Sequence, residues 1–228
     1  MPRLACPRCL RPVAQCLCPL VPALTSRTRV LILQHPAEAR HPLNTGRLAA
    51  LALAQAELRV GTAFGEGDWA RPGRRAWLLF PGPQARVLGA GDGPDPDACT
   101  LVVPDATWRQ ARGMLHANPE LAALPRLMLP PGAAGAYRVR HAREPGAVAT
   151  IEAVAQALEM LEAPARFDAM LRPFEALVQG QIAAMGQARY EREHVLRQGS
   201  RTARRTAREK CEGEAGGPMP QACGETRR

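Results

Sequence analysis

The chain has 228 residues, 46% of them hydrophobic, and 30 Lys plus Arg against 21 Asp plus Glu. That length suits one α/β domain with a substantial core and small additions. The lack of any run of about 18 apolar residues excludes a membrane-spanning helix. The net charge of +9 lies at the two ends: residues 1–30 hold five Arg and no acid, residues 31–188 hold 15 Arg against 15 acids, and residues 189–228 hold ten basic against six acidic groups. A neutral body with basic extremities fits a polyanionic partner. Compositional bias explains the same charge, since Lys210 is the only lysine beside 29 Arg. The opening MPRLACPRCLRP lacks the apolar stretch of a secretory signal, so a cytoplasmic protein with reduced thiols is expected.

Residues 1–28 are rich in Cys and Pro and show neither helical nor strand period. Cys6, Cys9, Cys16 and Cys18 form the pattern C-x2-C-x6-C-x-C, which can close a tetrahedral thiolate shell around structural zinc in a segment too short for a core. An iron–sulfur site and unliganded thiols are the alternatives. Cys99 abuts an apolar run and reads as a packing residue.

Beyond the knuckle, Arg29–Gln34 (RVLILQ) predicts a buried strand, followed by a polar turn at His35–Glu38. Asn44 or Thr45 is positioned to cap a helix through about Glu57, with Leu48, Leu51 and Leu58 near one face. A second strand is expected at Ala76–Phe80 and a third at Thr100–Val103, where Pro104 ends it. A helix follows Asp105 to about His116, stopped by Asn118-Pro119. Arg126–Leu129 is a further short strand, and Tyr137–Arg140 alternates like an edge strand with Arg138 and Arg140 on one side. Thr150 opens a strong helix, another begins near Arg166, and from Gln198 onward the composition predicts a disordered tail. Strands alternating with helices predict an α/β fold with a mainly parallel sheet. The chain thus divides into a knuckle (1–28), a body (29–188) and a basic helix end with tail (189–228).

The stretch LVVPDATWRQARGML, residues 101–115, places a carboxylate and a Trp at the carboxyl end of a strand, where open α/β sheets bind ligands. Asp105 or Thr107 also suits a helix N-cap, and Trp108 suits either the core or stacking on a base. Arg109 and Arg112 share one helix face, as phosphate contacts or as a solvated surface. The backbone at Phe80-Pro81-Gly82, Val103-Pro104 and Leu129-Pro130-Pro131, each after a strand, is placed to line a pocket or simply to terminate the strands.

The cysteine knuckle, QHPAEARHPLNTGRLA, PGP, VVPDATWRQARGML, YRVR and ATIEAVAQAL in this order resemble the DTW-domain family over about residues 4–180. Where relatives carry Asp-Gly-Thr-Trp and a Ser-Thr pair, this chain has Ala106 and Ala149-Thr150. An alanine at 106 predicts ordinary φ there. The resemblance implies a fold related to the SPOUT class, with a trefoil knot in its carboxyl-terminal part around S-adenosylmethionine. It also implies transfer of the 3-amino-3-carboxypropyl group from that co-substrate to N3 of a tRNA uridine, at variable-loop position 47 in bacterial relatives. On that reading Asp105 is the general base, with Thr107 and Trp108 beside it. Phe80, Pro81, Gly82, Val103, Pro104, Leu129, Pro130, Tyr137 and Thr150 would hold S-adenosylmethionine. His35, Asn44, Arg109, Arg112, Arg138 and Arg140 would meet the tRNA, and the knuckle would hold zinc. A zinc-stabilised RNA-binding module without catalysis and a SPOUT-like methyltransferase are the competing readings.

Overall fold

A computed structural model of the chain describes residues 4–131 and 148–186. The chain divides into a unit Met1–Gln181 and a second unit Ile182–Arg228. Six strands form one sheet: β1 (Arg29–Gln34), β2 (Glu57–Val60), β3 (Arg75–Leu79), β4 (Arg86–Val87), β5 (Cys99–Asp105) and β6 (Arg126–Met128). The order is β2-β1-β5-β3-β6-β4, and every pairing is parallel. The helices are α1 (Pro36–Ala39), α2 (Gly46–Ala52), α3 (Glu66–Trp69), α4 (Trp108–Ala117), α5 (Pro119–Ala122), α6 (Thr150–Leu161) and α7 (Arg172–Met185). No helix among the described residues is long and apolar enough to cross a membrane.

The central strands are buried on both faces, as their near-continuous apolar runs require. Leu31, Leu33, Leu78 and Val102 point to one face and pack with Trp69, Met114, Leu115 and Leu121 from α3, α4 and α5. Side chains alternate along a strand, so Ile32, Gln34, Val103 and Asp105 point to the other face, toward α2 and α6. Glu162 closes the far end of that layer. Its carboxylate accepts the N–H groups of Arg27 (3.0 Å) and Thr28 (2.9 Å), tying the end of α6 to the start of β1.

Several expectations needed correction. The strand at 100–103 extends to Asp105, and Pro104 sits within it, opposite Leu33 of β1. The Asp105 carbonyl accepts from His35 N–H at 2.9 Å, so its backbone faces β1 and that of Pro104 faces the β3 side. Pairing with β3 stops at Val102, so the missing donor of Pro104 costs no ladder bond. The helix expected to reach Glu57 ends at Ala52, and residues 57–60 instead form the edge strand β2, whose half-exposed ELRV lacks an apolar run. The turn at His35–Glu38 is the single helical turn α1, with Pro36 in its first position, where the absent N–H is harmless. The helix expected near Arg166 begins at Arg172, after a 3-10 turn at Asp168–Leu171. The expected edge strand at Tyr137–Arg140 and the tail after Gln198 lie outside the described residues.

Candidate functional site

Two clusters of chemically capable side chains stand out. The first is the knuckle. All four sulfur atoms of Cys6, Cys9, Cys16 and Cys18 lie within 4.8 Å of one another. Cys6 and Cys18 Sγ are 3.6 Å apart and Cys9 and Cys16 Sγ 3.8 Å, too long for disulfides. Tetrahedral coordination at about 2.3 Å from zinc to sulfur gives sulfur–sulfur edges of about 3.8 Å. The spacing therefore suits such an ion. A tight turn makes this possible: Leu10, in the left-handed region at φ 59°, donates its N–H to the Cys6 carbonyl, and Cys6 donates to that of Arg11. Backbone N–H groups of Cys9 and Arg8 pull the Cys6 thiol down to about 6, while burial and the neighbouring sulfurs push Cys18 up to about 12. The Arg11 guanidinium donates to the Pro42 carbonyl at 2.6 Å, linking the knuckle to the loop that precedes α2.

The second cluster lies at the carboxyl ends of β1 and β5. From β1 the chain steps outward to β2 and then crosses back to β3, so this is where the direction of winding reverses. Such switch points leave a crevice between the loops. Asp105 is 5% exposed. Its Oδ2 accepts from Gln34 Nε2 at 2.6 Å, and its Oδ1 accepts from the Thr150 hydroxyl at 2.5 Å. Gln34 Nε2 also donates to Asn44 Oδ1 at 3.0 Å, and Asn44 in turn donates to the Glu38 carbonyl and accepts from Arg47 N–H. Gly46, at the start of α2, lies against Asp105, and a Cβ there would overlap the carboxylate. Gln34 is fully buried, and its Oε1 has no hydrogen-bond partner among the described residues. An orphaned buried acceptor costs about 1–3 kcal/mol, so a donor-bearing ligand would be welcome there.

The helix cap belongs to Thr107, not Asp105. Its hydroxyl accepts from Gln110 N–H at 3.3 Å, and Gln110 Oε1 accepts from Thr107 N–H at 3.0 Å. Ala106 stays out of the left-handed region, as expected for alanine. Ala149 has no side chain with which to cap α6, but Glu152 reaches back to its N–H at 2.8 Å. Trp108 is half-buried against Phe80, with ring centroids 5.3 Å apart, which joins the loop after β3 to the start of α4. Pro81 is exposed, and Gly82 lies beneath the Arg126 guanidinium, where a Cβ would overlap it. Val103 and Pro104 are within β5, and Leu129 and Pro130 follow β6 half-buried. Arg109 and Arg112 are exposed on α4. The His35 Nδ1 accepts from Ala37 N–H, and that of His41 from Leu43 N–H. Each ring is thus occupied in a local turn. Cys99 is fully buried, and burial pushes its thiol up to about 12, in keeping with a packing role. Tyr137, Arg138 and Arg140 lie outside the described residues.

The structure thus brings Asp105, Asn44 and Thr150 together, and adds Glu38 and Gly46, which sequence reasoning missed. The signal for Gly46 was a glycine opening a helix within a close-packed layer. Glu38 gave none, because it joins the cluster through its backbone carbonyl, which any residue supplies.

Comparison with known proteins agrees with the motif reading. The family model described as DTW domain matches residues 3–182. A protein of Macaca fascicularis named tRNA-uridine aminocarboxypropyltransferase 2 is 32% identical, over 85% of this chain and 69% of its own. The Drosophila melanogaster protein of that name is 32% identical over 78% of this chain and 74% of its own. An Arabidopsis thaliana protein named tRNA-uridine aminocarboxypropyltransferase A is 33% identical over 51% of this chain and 52% of its own. No solved structure matches.

Proposed function

The chain belongs to the DTW domain family, and from that premise we propose that it is a tRNA-uridine aminocarboxypropyltransferase. It would move the 3-amino-3-carboxypropyl group of S-adenosylmethionine to N3 of a tRNA uridine, at variable-loop position 47. The observation that carries the reading is the buried Asp105 carboxylate at the switch point of the sheet. N3 of neutral uridine bears a proton and becomes a nucleophile only when that proton is accepted. Asp105 is the acceptor. The freed N3 electron pair forms a bond to the terminal carbon of the aminocarboxypropyl group, the carbon–sulfur pair returns to sulfur, and neutral methylthioadenosine leaves.

The sulfonium carries three electrophilic carbons, so the site must align one of them with N3. The loops Phe80–Gly82 and Leu129–Pro131, together with Pro104 near the end of β5, supply backbone groups for that task, and the Phe80–Trp108 pair stiffens the first of them. Gln34 Oε1, buried and without a hydrogen-bond partner among the described residues, matches the ammonium of the methionine moiety. Arg109 and Arg112 supply exposed cations for tRNA phosphates. The fold is read as SPOUT-related, with the carboxyl-terminal knot that the resemblance implies, in a cytoplasmic enzyme. The knuckle binds zinc, which supplies structure to a segment without a core.

Incubation with unmodified tRNA and S-adenosylmethionine, followed by nucleoside analysis, tests this reading. Methylthioadenosine with a mass-shifted uridine is expected. S-adenosylhomocysteine would make the protein a methyltransferase, and tRNA binding without turnover would make it an RNA-binding module.

A further inference from the structure

We propose that Thr150 relays the proton, its hydroxyl oxygen taking the uridine N3 proton as its own proton passes to Asp105. The inference rests on the transferase reading and deepens it. An ionised carboxylate only accepts hydrogen bonds, so in the 2.5 Å contact with Asp105 Oδ1 the Thr150 hydroxyl is the donor. That length is typical of a charge-assisted O–H···O⁻ bond, along which a proton moves readily. The hydroxyl oxygen keeps lone pairs that can accept an incoming N–H.

Accessibility points the same way. Asp105 is 5% exposed, its Oδ2 is held by Gln34, and Gly46 packs against the carboxylate. Thr150 is less deeply buried, at the first position of the 12-residue α6. Its neighbours Ala149, Ile151 and Glu152 are all buried, so the hydroxyl is aimed by a packed helix. The step balances. The N3 proton goes to Thr150 Oγ1 and the Thr150 proton goes to Asp105 Oδ1. The N3 pair bonds to carbon, and the carbon–sulfur pair stays with methylthioadenosine. After product release Asp105 returns its proton to solvent by the same hydroxyl.

The test compares wild type, Thr150→Val and Thr150→Ser in kcat, tRNA KM, directly measured S-adenosylmethionine Kd and the pH dependence of kcat. Thr150→Val is expected to lose about 100-fold or more in kcat with Kd within about twofold, and Thr150→Ser to recover most of the loss. With the relay gone the imide must ionise unaided, so the residual Thr150→Val rate should rise about tenfold per pH unit through the neutral range. Full kcat in Thr150→Val overturns the relay. So does a raised Kd with kcat kept, which would make Thr150 a co-substrate ligand. A loss of kcat that is neither recovered by serine nor raised by pH also overturns it, leaving Thr150 with a structural role. Absence of turnover in wild type would instead sink the transferase reading, and the relay with it.

Discussion

The cysteine knuckle and the Asp105 cluster are both compact polar sites, yet they are assembled by opposite routes. The knuckle draws its four sulfurs from residues 6–18, brought together by the turn at Leu10 and the short 3-10 turns at Val13–Gln15 and Cys18–Leu20, with no sheet or long helix behind them. The Asp105 cluster joins residues 71 and 45 positions apart in the chain, and only the register of β1 against β5 and the seating of α2 and α6 make them neighbours. Local spacing creates the first; the packed core creates the second. The difference implies that the knuckle should fail when its ligands are disturbed while the sheet survives, and that the Asp105 cluster should fail when the packing around it is disturbed.

The largest expected effect is on the knuckle. The proposed structural zinc would contribute on the order of 10 kcal/mol to so small a segment. Cys9→Ser should lower bound metal well below one per chain, while the main thermal transition of the sheet stays in place. A single cooperative loss of both would show that the two regions are one unit. Next comes Gly46→Ala, which places a methyl group against the Asp105 carboxylate. Overpacking of this kind costs about 1–3 kcal/mol. Chemical denaturation should register that loss together with a fall in kcat, and metal content should not change. Wild-type stability and kcat in Gly46→Ala would mean that the cluster can shift without consequence.

The smallest effect belongs to neither region. Arg29 is buried within β1 and pairs with Glu57 at 2.7 Å, with Arg71 and Arg59 nearby. Although partial burial opposes it, hydrogen bonding from Arg29 and the charges of the three arginines hold the Glu57 carboxyl below its ordinary value. A carboxylate so depressed stabilises the fold at and above the ordinary glutamate range, and the contribution disappears as pH falls through the folded-state pKa. Glu57→Gln should therefore cost about 1 kcal/mol at neutral pH, since Glu57 is more than a third exposed and well screened. The gap from wild type should close in acid. A difference that widened in acid would reverse the assigned sign.

The same contrast explains what was legible in the sequence. Cys6 to Cys18 could be read directly because their spacing is their geometry. RVLILQ, AWLLF and TLVV announced buried strands because parallel strands covered on both faces need continuous apolar runs. Edge strands carry no such demand, so ELRV and Arg86–Val87 gave no signal. Pro104 pointed to a strand end because the side its backbone faces is set by a neighbour far away in sequence. Asp105 was visible as a carboxylate after a strand, but its contact with Thr150 and the packing of Gly46 depend on how α2 and α6 seat against the sheet.

The most direct test of the central claim replaces Asp105 by Asn, which keeps the shape of the side chain and removes its ability to accept a proton. Wild type and Asp105→Asn, matched for thermal stability and tRNA affinity, would be assayed with unmodified tRNA and S-adenosylmethionine for methylthioadenosine release. General-base catalysis predicts a kcat lower by about 100-fold or more in Asp105→Asn, with substrate binding retained. Turnover by Asp105→Asn at the wild-type rate would contradict the assignment and leave the carboxylate as a structural partner of Gln34 and Thr150.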